Sequence, residues 1–181
     1  MQKKLLLQIA KDAILGRFNH KNIDRDKLIK ENPELKEDGA VFVTLKQHGN
    51  LRGCIGSIIA HRSLLDDLIY NAQAAAFSDP RFTPLREDEL QQTDIEISLL
   101  TPYQELEYIN RDDLKKKIRP NIDGVILKLG SYQATFLPQV WEELPDFDLF
   151  FAHLCQKAGI RVSDCLSSHP TIYTYQVEKI E

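Results

Sequence analysis

The residue types best suited to chemistry sit together in one heptapeptide, Leu51-Arg52-Gly53-Cys54-Ile55-Gly56-Ser57. Read as a strand, it turns Arg52, Cys54 and Gly56 to one face and Leu51, Gly53, Ile55 and Ser57 to the other. A guanidinium beside Cys54 favours the thiolate, the form that attacks electrophiles or binds metal. Glycine within a strand marks a place where a ligand or another backbone comes close, and Gly56 is the candidate gap. The same spacing also fits a small, buried cysteine in a tight strand, a common fate of free thiols. Both readings stay open on spacing alone.

Other constellations carry less. A nucleophilic cysteine needs a base, and of the five histidines His48 and His61 are nearest to Cys54 in sequence. Cys155, Cys165 and His169 have spacing that could hold zinc, with His153 close by. On a helix His153 and Cys155 point to nearly opposite sides, which leaves at most three ligands where a closed site wants four, so no metal is assigned. The heptapeptide lacks the spacing and the lysine of a phosphate-binding loop, and no dinucleotide fingerprint appears; no cofactor is implied. The basic run Lys115-Lys116-Lys117 with Arg119 lies beside Asp112 and Asp113 and holds no aromatic to stack on a base. It reads as the solvated face of a short helix.

The elements that position these residues come from a chain of 181 residues, 43% of them hydrophobic, enough for a real core. That length predicts a single domain over 1–181, with at most a smaller lobe and no separable linker. A formal charge of -4 supplies no clustered cationic excess for a polyanion, so nucleic acid is a disfavoured partner. Three cysteines, an odd number with wide gaps, do not resemble a secreted disulfide framework and suit a reducing cytoplasm. Lys3-Lys4 before Leu5-Leu6-Leu7 imitates a signal peptide, but Lys11 and Asp12 interrupt the apolar run. No stretch approaches the roughly 20 apolar residues of a membrane span. The expectation is a soluble, cytoplasmic protein with no membrane partner.

Periodicity then places the motifs. Apolar residues from Gln2 to Phe18 recur at helical spacing, and Asp26 to Lys30 adds a turn before Asn32-Pro33. Val41, Val43 and Leu45 alternate inward, His48-Gly49-Asn50 turns the chain, and the Cys54 segment returns as the second strand of a hairpin. Ser63 caps a helix that ends near Ser78-Asp79-Pro80, and Asp79 to Pro84 forms a stiff connector. Glu87 to Glu89 makes an acidic turn, and Asp94 to Leu99 a strand with Glu96 in its middle. An extended piece over Glu105 to Ile109 and a helix over Asp112 to Ile118 follow. Val125 to Leu129 and Tyr132 to Leu137 form a second hairpin about Gly130-Ser131. A short helix from Gln139 to Leu144, a helix from Phe147 to Ala158 capped by Asp146 and stopped by Gly159, and a last strand from Thr171 to Val177 complete the chain. Hairpins with intervening helices and no strand-helix-strand repeat predict an α+β fold with a mainly antiparallel sheet flanked by helices.

These blocks resemble the AMMECR-type domain family, whose bacterial and archaeal members are called AmmeMemoRadiSam system protein A. The resemblance runs almost end to end: Ala40 to Lys46, Leu51-Arg-Gly-Cys-Ile-Gly56, Ala74 to Phe77, Asp79-Pro-Arg-Phe82, Ile95 to Ser98, Asp123-Gly124, Phe136 to Val140 and Leu154 to Gly159. The hexapeptide is the family's hallmark. Where the usual pattern has a tryptophan after Gly159, this chain has Ser163-Asp164-Cys165-Leu166. The resemblance implies a two-lobed α+β domain, a family without an assigned reaction, and association with a Memo-like protein and a radical SAM enzyme. Its blocks gather Arg52, Gly53, Cys54, Gly56, Arg81, Glu96, Gln139 and Lys157 as candidates to line one cleft. Arg81 could equally pair with Glu96 or Asp79 to lock the connector, and Lys157 suits a helix C-terminus regardless of function.

Three functions follow as expectations. In an enzyme Cys54 is the nucleophile or thiol acid/base, and Arg52 or Arg81 lowers its pKa or binds an anionic substrate group. In a binding or protein-interaction module the same cleft holds a metabolite or a partner's peptide without covalent chemistry. Nucleic-acid binding stands third.

Overall fold

Leu6, Ile9, Ala10, Ala13 and Ile14, spaced by three and four residues, are the buried stripe of helix α1 (Lys3–Asn19) in the computed structural model, which describes residues 3–181. Gln2, where the periodicity begins, lies outside the described residues. Helix α2 (Arg25–Glu31) is capped by Asp24, whose carboxylate accepts the Lys27 N–H at 3.0 Å. Strands β1 (Ala40–Gln47) and β2 (Asn50–Gly56) form the expected hairpin, with Thr44 opposite Cys54. His48 and Gly49 take φ of +51° and +78° between them, as a two-residue hairpin turn requires.

Helix α3 (Leu64–Phe77) starts at Ser63, whose hydroxyl accepts the Asp66 N–H, and stops at Ser78, two residues before Pro80. After the connector come the single-turn α4 (Glu87–Leu90) and strand β3 (Thr93–Leu100), which pairs antiparallel with β1 and sets Glu96 opposite Thr44. Val41, Val43, Leu45 and Ile97 from the sheet pack on Leu65, Leu68, Ala72 and Ala75 of α3 and on the α1 stripe. Each such valine, leucine or isoleucine, fully buried, contributes about 1.5–3 kcal/mol.

Beyond Leu100 the chain makes β4 (Gln104–Glu105), α5 (Arg111–Lys117), β5 (Gly124–Leu129), β6 (Tyr132–Phe136), α6 (Val140–Glu143), α7 (Phe147–Lys157), α8 (Val162–Cys165), β7 (Thr171–Tyr175) and β8 (Val177–Ile180). Two four-stranded sheets result, in the orders β2-β1-β3-β8 and β4-β7-β5-β6. The fold is therefore α+β as predicted, with antiparallel sheet and flanking helices, but the strands divide between two sheets. The chain falls into two compact units: one runs to Leu100 and takes in Glu178–Glu181, and the other is Thr101–Val177. In the second, Trp141 stacks on Phe150 with ring centroids 3.6 Å apart, and Leu114, Val125, Leu127, Phe151, Leu154 and Ile172 complete its core. The Trp141 indole N–H donates to the Asp123 carbonyl, so this large ring is buried without an orphaned donor.

Four readings of the sequence change. The single strand expected over Thr171 to Val177 is two strands in different sheets, parted at Gln176, which exchanges backbone and side-chain hydrogen bonds with Thr101. The extended piece expected over Glu105 to Ile109 shrinks to two residues of β4. Helix α8, which periodicity over four residues cannot reveal, returns the chain to α7. There Cys155 and Cys165 are joined in a disulfide across a sequence separation of ten residues, although three widely spaced cysteines did not suggest a bridge. Bonded to each other, these cysteines are no longer zinc ligands, and His169 lies stacked on Tyr108. Among the described residues no helix is long and apolar enough to cross a membrane.

Candidate functional site

Strand β2 is an edge of its sheet, and both backbone polar groups of Cys54 are taken from that edge by the connector. Asp79 Oδ2 accepts the Cys54 N–H at 2.9 Å, and Arg81 Nη2 donates to the Cys54 carbonyl at 3.2 Å. Asp79 and Arg81 also grip each other, through Nε at 3.0 Å and Nη2 at 2.7 Å. An unpaired edge residue would invite a foreign strand, and here two side chains occupy its place. The Arg81 hydrogen bond, helped by the N–H groups of Cys54 and Arg81, outweighs burial and holds the Asp79 carboxyl well below the usual carboxylate range. The same hydrogen bond raises the pKa of Arg81.

Arg52 makes a second rivet to the same connector. Its Nε and Nη2 donate to the two carboxylate oxygens of Glu89 at 3.3 and 3.2 Å, and its Nη1 donates to the Thr83 carbonyl at 2.9 Å. The Arg86 N–H, then the Arg52 guanidinium, keep Glu89 below its ordinary pKa. The cation expected to activate Cys54 is thus paired with a carboxylate in α4.

The half-buried Cys54 is the free cysteine of the chain, and its Sγ accepts a hydrogen bond from Thr44 Oγ1 at 3.3 Å. Strand register sets Cys54, Thr44 and Glu96 side by side across β2, β1 and β3 on one face. Glu96 ends this polar row in ion pairs with Lys46 and, at 3.3 Å, Lys179. Among the described residues no imidazole hydrogen-bonds to the row: His61 is held between the Ile59 carbonyl and Arg62 Nε, and His48 lies in the hairpin turn.

The two glycines of the motif serve close approach inside the fold. A Cβ on Gly53 would lie 2.2 Å from the Ala75 carbonyl oxygen, so α3 rides directly on β2 there. A Cβ on Gly56 would lie 2.2 Å from the Phe42 ring, its cross-strand neighbour. The gap expected at Gly56 is filled by Phe42. Ser57, the last of the heptapeptide, donates at 2.6 Å to Asp67, a fully buried carboxylate that also accepts from the Val41 N–H, Asn71 and Arg62.

The structure brings Arg52, Gly53, Cys54, Gly56, Arg81 and Glu96 onto neighbouring strands and their connector. Gln139 and Lys157 belong to the second unit. Gln139 is an exposed residue at the start of α6, and Lys157 Nζ donates to the Thr135 carbonyl at 3.0 Å, its pKa lowered by burial. Sequence reasoning missed Thr44, which only the hairpin register sets against Cys54, and Glu89, read as part of an acidic turn. It also missed the buried pair Asp67 and Asn71, one helical turn apart in α3; polar residues on an apolar helix face were the available signal.

With this geometry in hand, comparison with known proteins defines the class. The AMMECR1 family model matches residues 7–180, and the chain belongs to that family. A protein of Methanothermobacter thermautotrophicus is 37% identical over 179 residues, covering 97% of this chain and 91% of its own length. A protein of Sulfolobus acidocaldarius is 39% identical over 168 residues, covering 90% of this chain and 73% of its own. The crystal structure of an uncharacterized protein from Pyrococcus horikoshii is similar with a TM-score of 0.84 and 33% identity, covering 97% of this chain and 88% of that one.

Proposed function

We propose that this protein is a binding module, and that the polar row Cys54, Thr44 and Glu96 forms the floor of its site for a small molecule or a partner's segment. One observation carries the reading. Arg52 spends its three nitrogens on Glu89 and the Thr83 carbonyl, Arg81 turns Nε and Nη2 to Asp79 and the Cys54 carbonyl, and the hydrogen bond at Cys54 Sγ comes from a neutral hydroxyl. Arg81, half exposed at the rim, keeps a face for an anionic group of the ligand. The association with a Memo-like protein and a radical SAM enzyme that the resemblance implies makes these the pathway partners to test first.

The alternative, thiol-dependent catalysis, requires a base beside Cys54 that would have to come from the ligand or a partner. Native-state alkylation by iodoacetamide separates the two, since the disulfide leaves Cys54 as the single free thiol. A binding module labels no faster than a small free thiol at the same pH. Labelling faster by orders of magnitude in mildly acidic buffer would mark a stabilised thiolate and replace this reading with the enzymatic one.

A further inference from the structure

In the first unit, helix α1, the turn that follows it and helix α3 line an open cleft of about 500 Å³. A second hollow of about 560 Å³ adjoins it, sharing Asp12, Gly16, Lys21, Asn22 and Ile23. These volumes fall in the range of about 300–1,000 Å³ typical of small-molecule sites. The cleft is formed by local chemistry. Asn19 Oδ1 accepts the Lys21 N–H at 3.0 Å, His20 takes a left-handed φ of +55°, and the chain folds back until the Lys21 carbonyl meets Gly16. A Cβ at Gly16 would lie 2.4 Å from that oxygen, so only glycine lets the turn close over α1.

The lining combines an apolar floor with a small excess of positive charge. Ala13 and Ile69 are buried core residues whose surfaces end in the cleft, and Ile23 stands half-buried beside them. Three cations line it, Arg17, Lys21 and Arg25. Arg25 is paired with Asp66 at 2.8 Å. Among the described residues Arg17 and Lys21 have no carboxylate partner, and Arg17 leans on the Phe77 ring, 5.7 Å from its centroid. Asp12, the one acid of this lining, accepts from Gln8 at 2.8 Å. Gln73 donates its amide N–H to the Ala13 carbonyl at 3.0 Å, which fixes the side chain and leaves its oxygen as an acceptor. In a chain of net charge -4, two cations without carboxylate partners against the single carboxylate of Asp12 leave this concave surface with a net positive balance.

We propose that this cleft is a binding site for a small organic anion, a carboxylate or phosphate monoester with an apolar body. Arg17 and Lys21 hold the charged group, Ala13, Ile23 and Ile69 receive the body, and Gln73 accepts from a hydroxyl if the ligand carries one. The site shares no residue with the Cys54 row, so either reading can fail without the other.

The probes are octanoate, octyl phosphate and, as the uncharged control, 1-octanol, each titrated into the full chain and followed by backbone amide NMR. At least one anion is expected to give saturable shifts at Gly16, Ile23 and Gln73, and octanol about tenfold weaker ones or none. Arg17→Gln and Lys21→Gln, both at exposed positions, are each expected to weaken that anion about tenfold while the remaining spectrum stays unchanged. Saturable binding to octyl phosphate alone identifies the phosphate class, and to octanoate alone the carboxylate class. The proposal is overturned if neither anion gives saturable shifts there, if octanol binds as well as the anions, or if the double variant Arg17→Gln/Lys21→Gln binds like the parent.

Discussion

At the scale of single residues, the charged groups of the hallmark segments are spent on shape. Asp79 and Arg81 substitute for a missing neighbour strand at Cys54, and Arg52 ties the same strand to Thr83 and Glu89. Asp79→Asn keeps the size of the side chain but loses the charge-assisted bonds, and should cost about 2–3 kcal/mol in chemical denaturation. The sign with pH follows from its lowered pKa. Folded, Asp79 binds a proton more weakly than in the unfolded chain, so its contribution is complete above the unfolded value near 3.9 and is lost as pH falls below it. The parent should therefore lose stability between about pH 4 and pH 2 more steeply than Asp79→Asn, and matching acid limbs in the two proteins would refute this assignment. The glycines are tested by crowding. Gly56→Ala should destabilise by about 1–3 kcal/mol, and in a double-mutant cycle Phe42→Ala should couple favourably with it by part of that loss only, because the added Cβ would meet the ring but also lie 2.6 Å from the Phe42 Cα.

At the scale of elements, each sheet has an edge strand held by a cation from one of the family blocks. Arg81 closes on β2 and Lys157, from the end of α7, on β6 through the Thr135 carbonyl. The disulfide between α7 and α8 works on the unfolded chain. Closing a loop of this length removes enough chain entropy to be worth about 3 kcal/mol. Cys155→Ala/Cys165→Ala, or the parent in reductant, should unfold at correspondingly lower denaturant, and an unchanged midpoint in reductant would show that the bridge contributes nothing.

At the scale of the whole molecule, the second unit is an excursion between β3 and β8, which lie side by side in the first sheet. Its two ends are pinned where they meet: Thr101 N–H donates to the Gln176 carbonyl and Thr101 Oγ1 accepts the Gln176 N–H, both at 2.9 Å. The last four residues therefore complete the unit with which the chain began. Ile180 enters its core, Glu178 pairs with Lys3 at 3.2 Å, and Lys179 reaches Glu96. Removing residues 177–181 should accelerate amide exchange throughout β3 and leave β5 and β6 as protected as before. Equal loss of protection in both sheets would mean that the two units fold as one.

What the amino-acid sequence determined by itself was whatever rests on local steric and hydrophobic rules. Alternation in 41–45 and 95–99, the caps Ser63 and Asp146, the stop at Pro80 and the turn at His48-Gly49 each act within a few residues, and the elements stand where those rules place them. The heptapeptide likewise announced the strand that carries Cys54. Tertiary structure alone decided which carboxylate each arginine meets, because a guanidinium reaches partners 2 or 37 residues away with equal ease. It decided that Thr44 faces the thiol, since register is a property of two strands together. It divided the strands between two sheets, broke the final strand at Gln176 and joined Cys155 to Cys165, all through contacts between distant segments to which local periodicity is blind. The glycines show the boundary most clearly: their places in the strand follow from sequence, but it took the packed molecule to show that what comes close, a ligand or another segment of the chain, is Ala75 at Gly53 and Phe42 at Gly56.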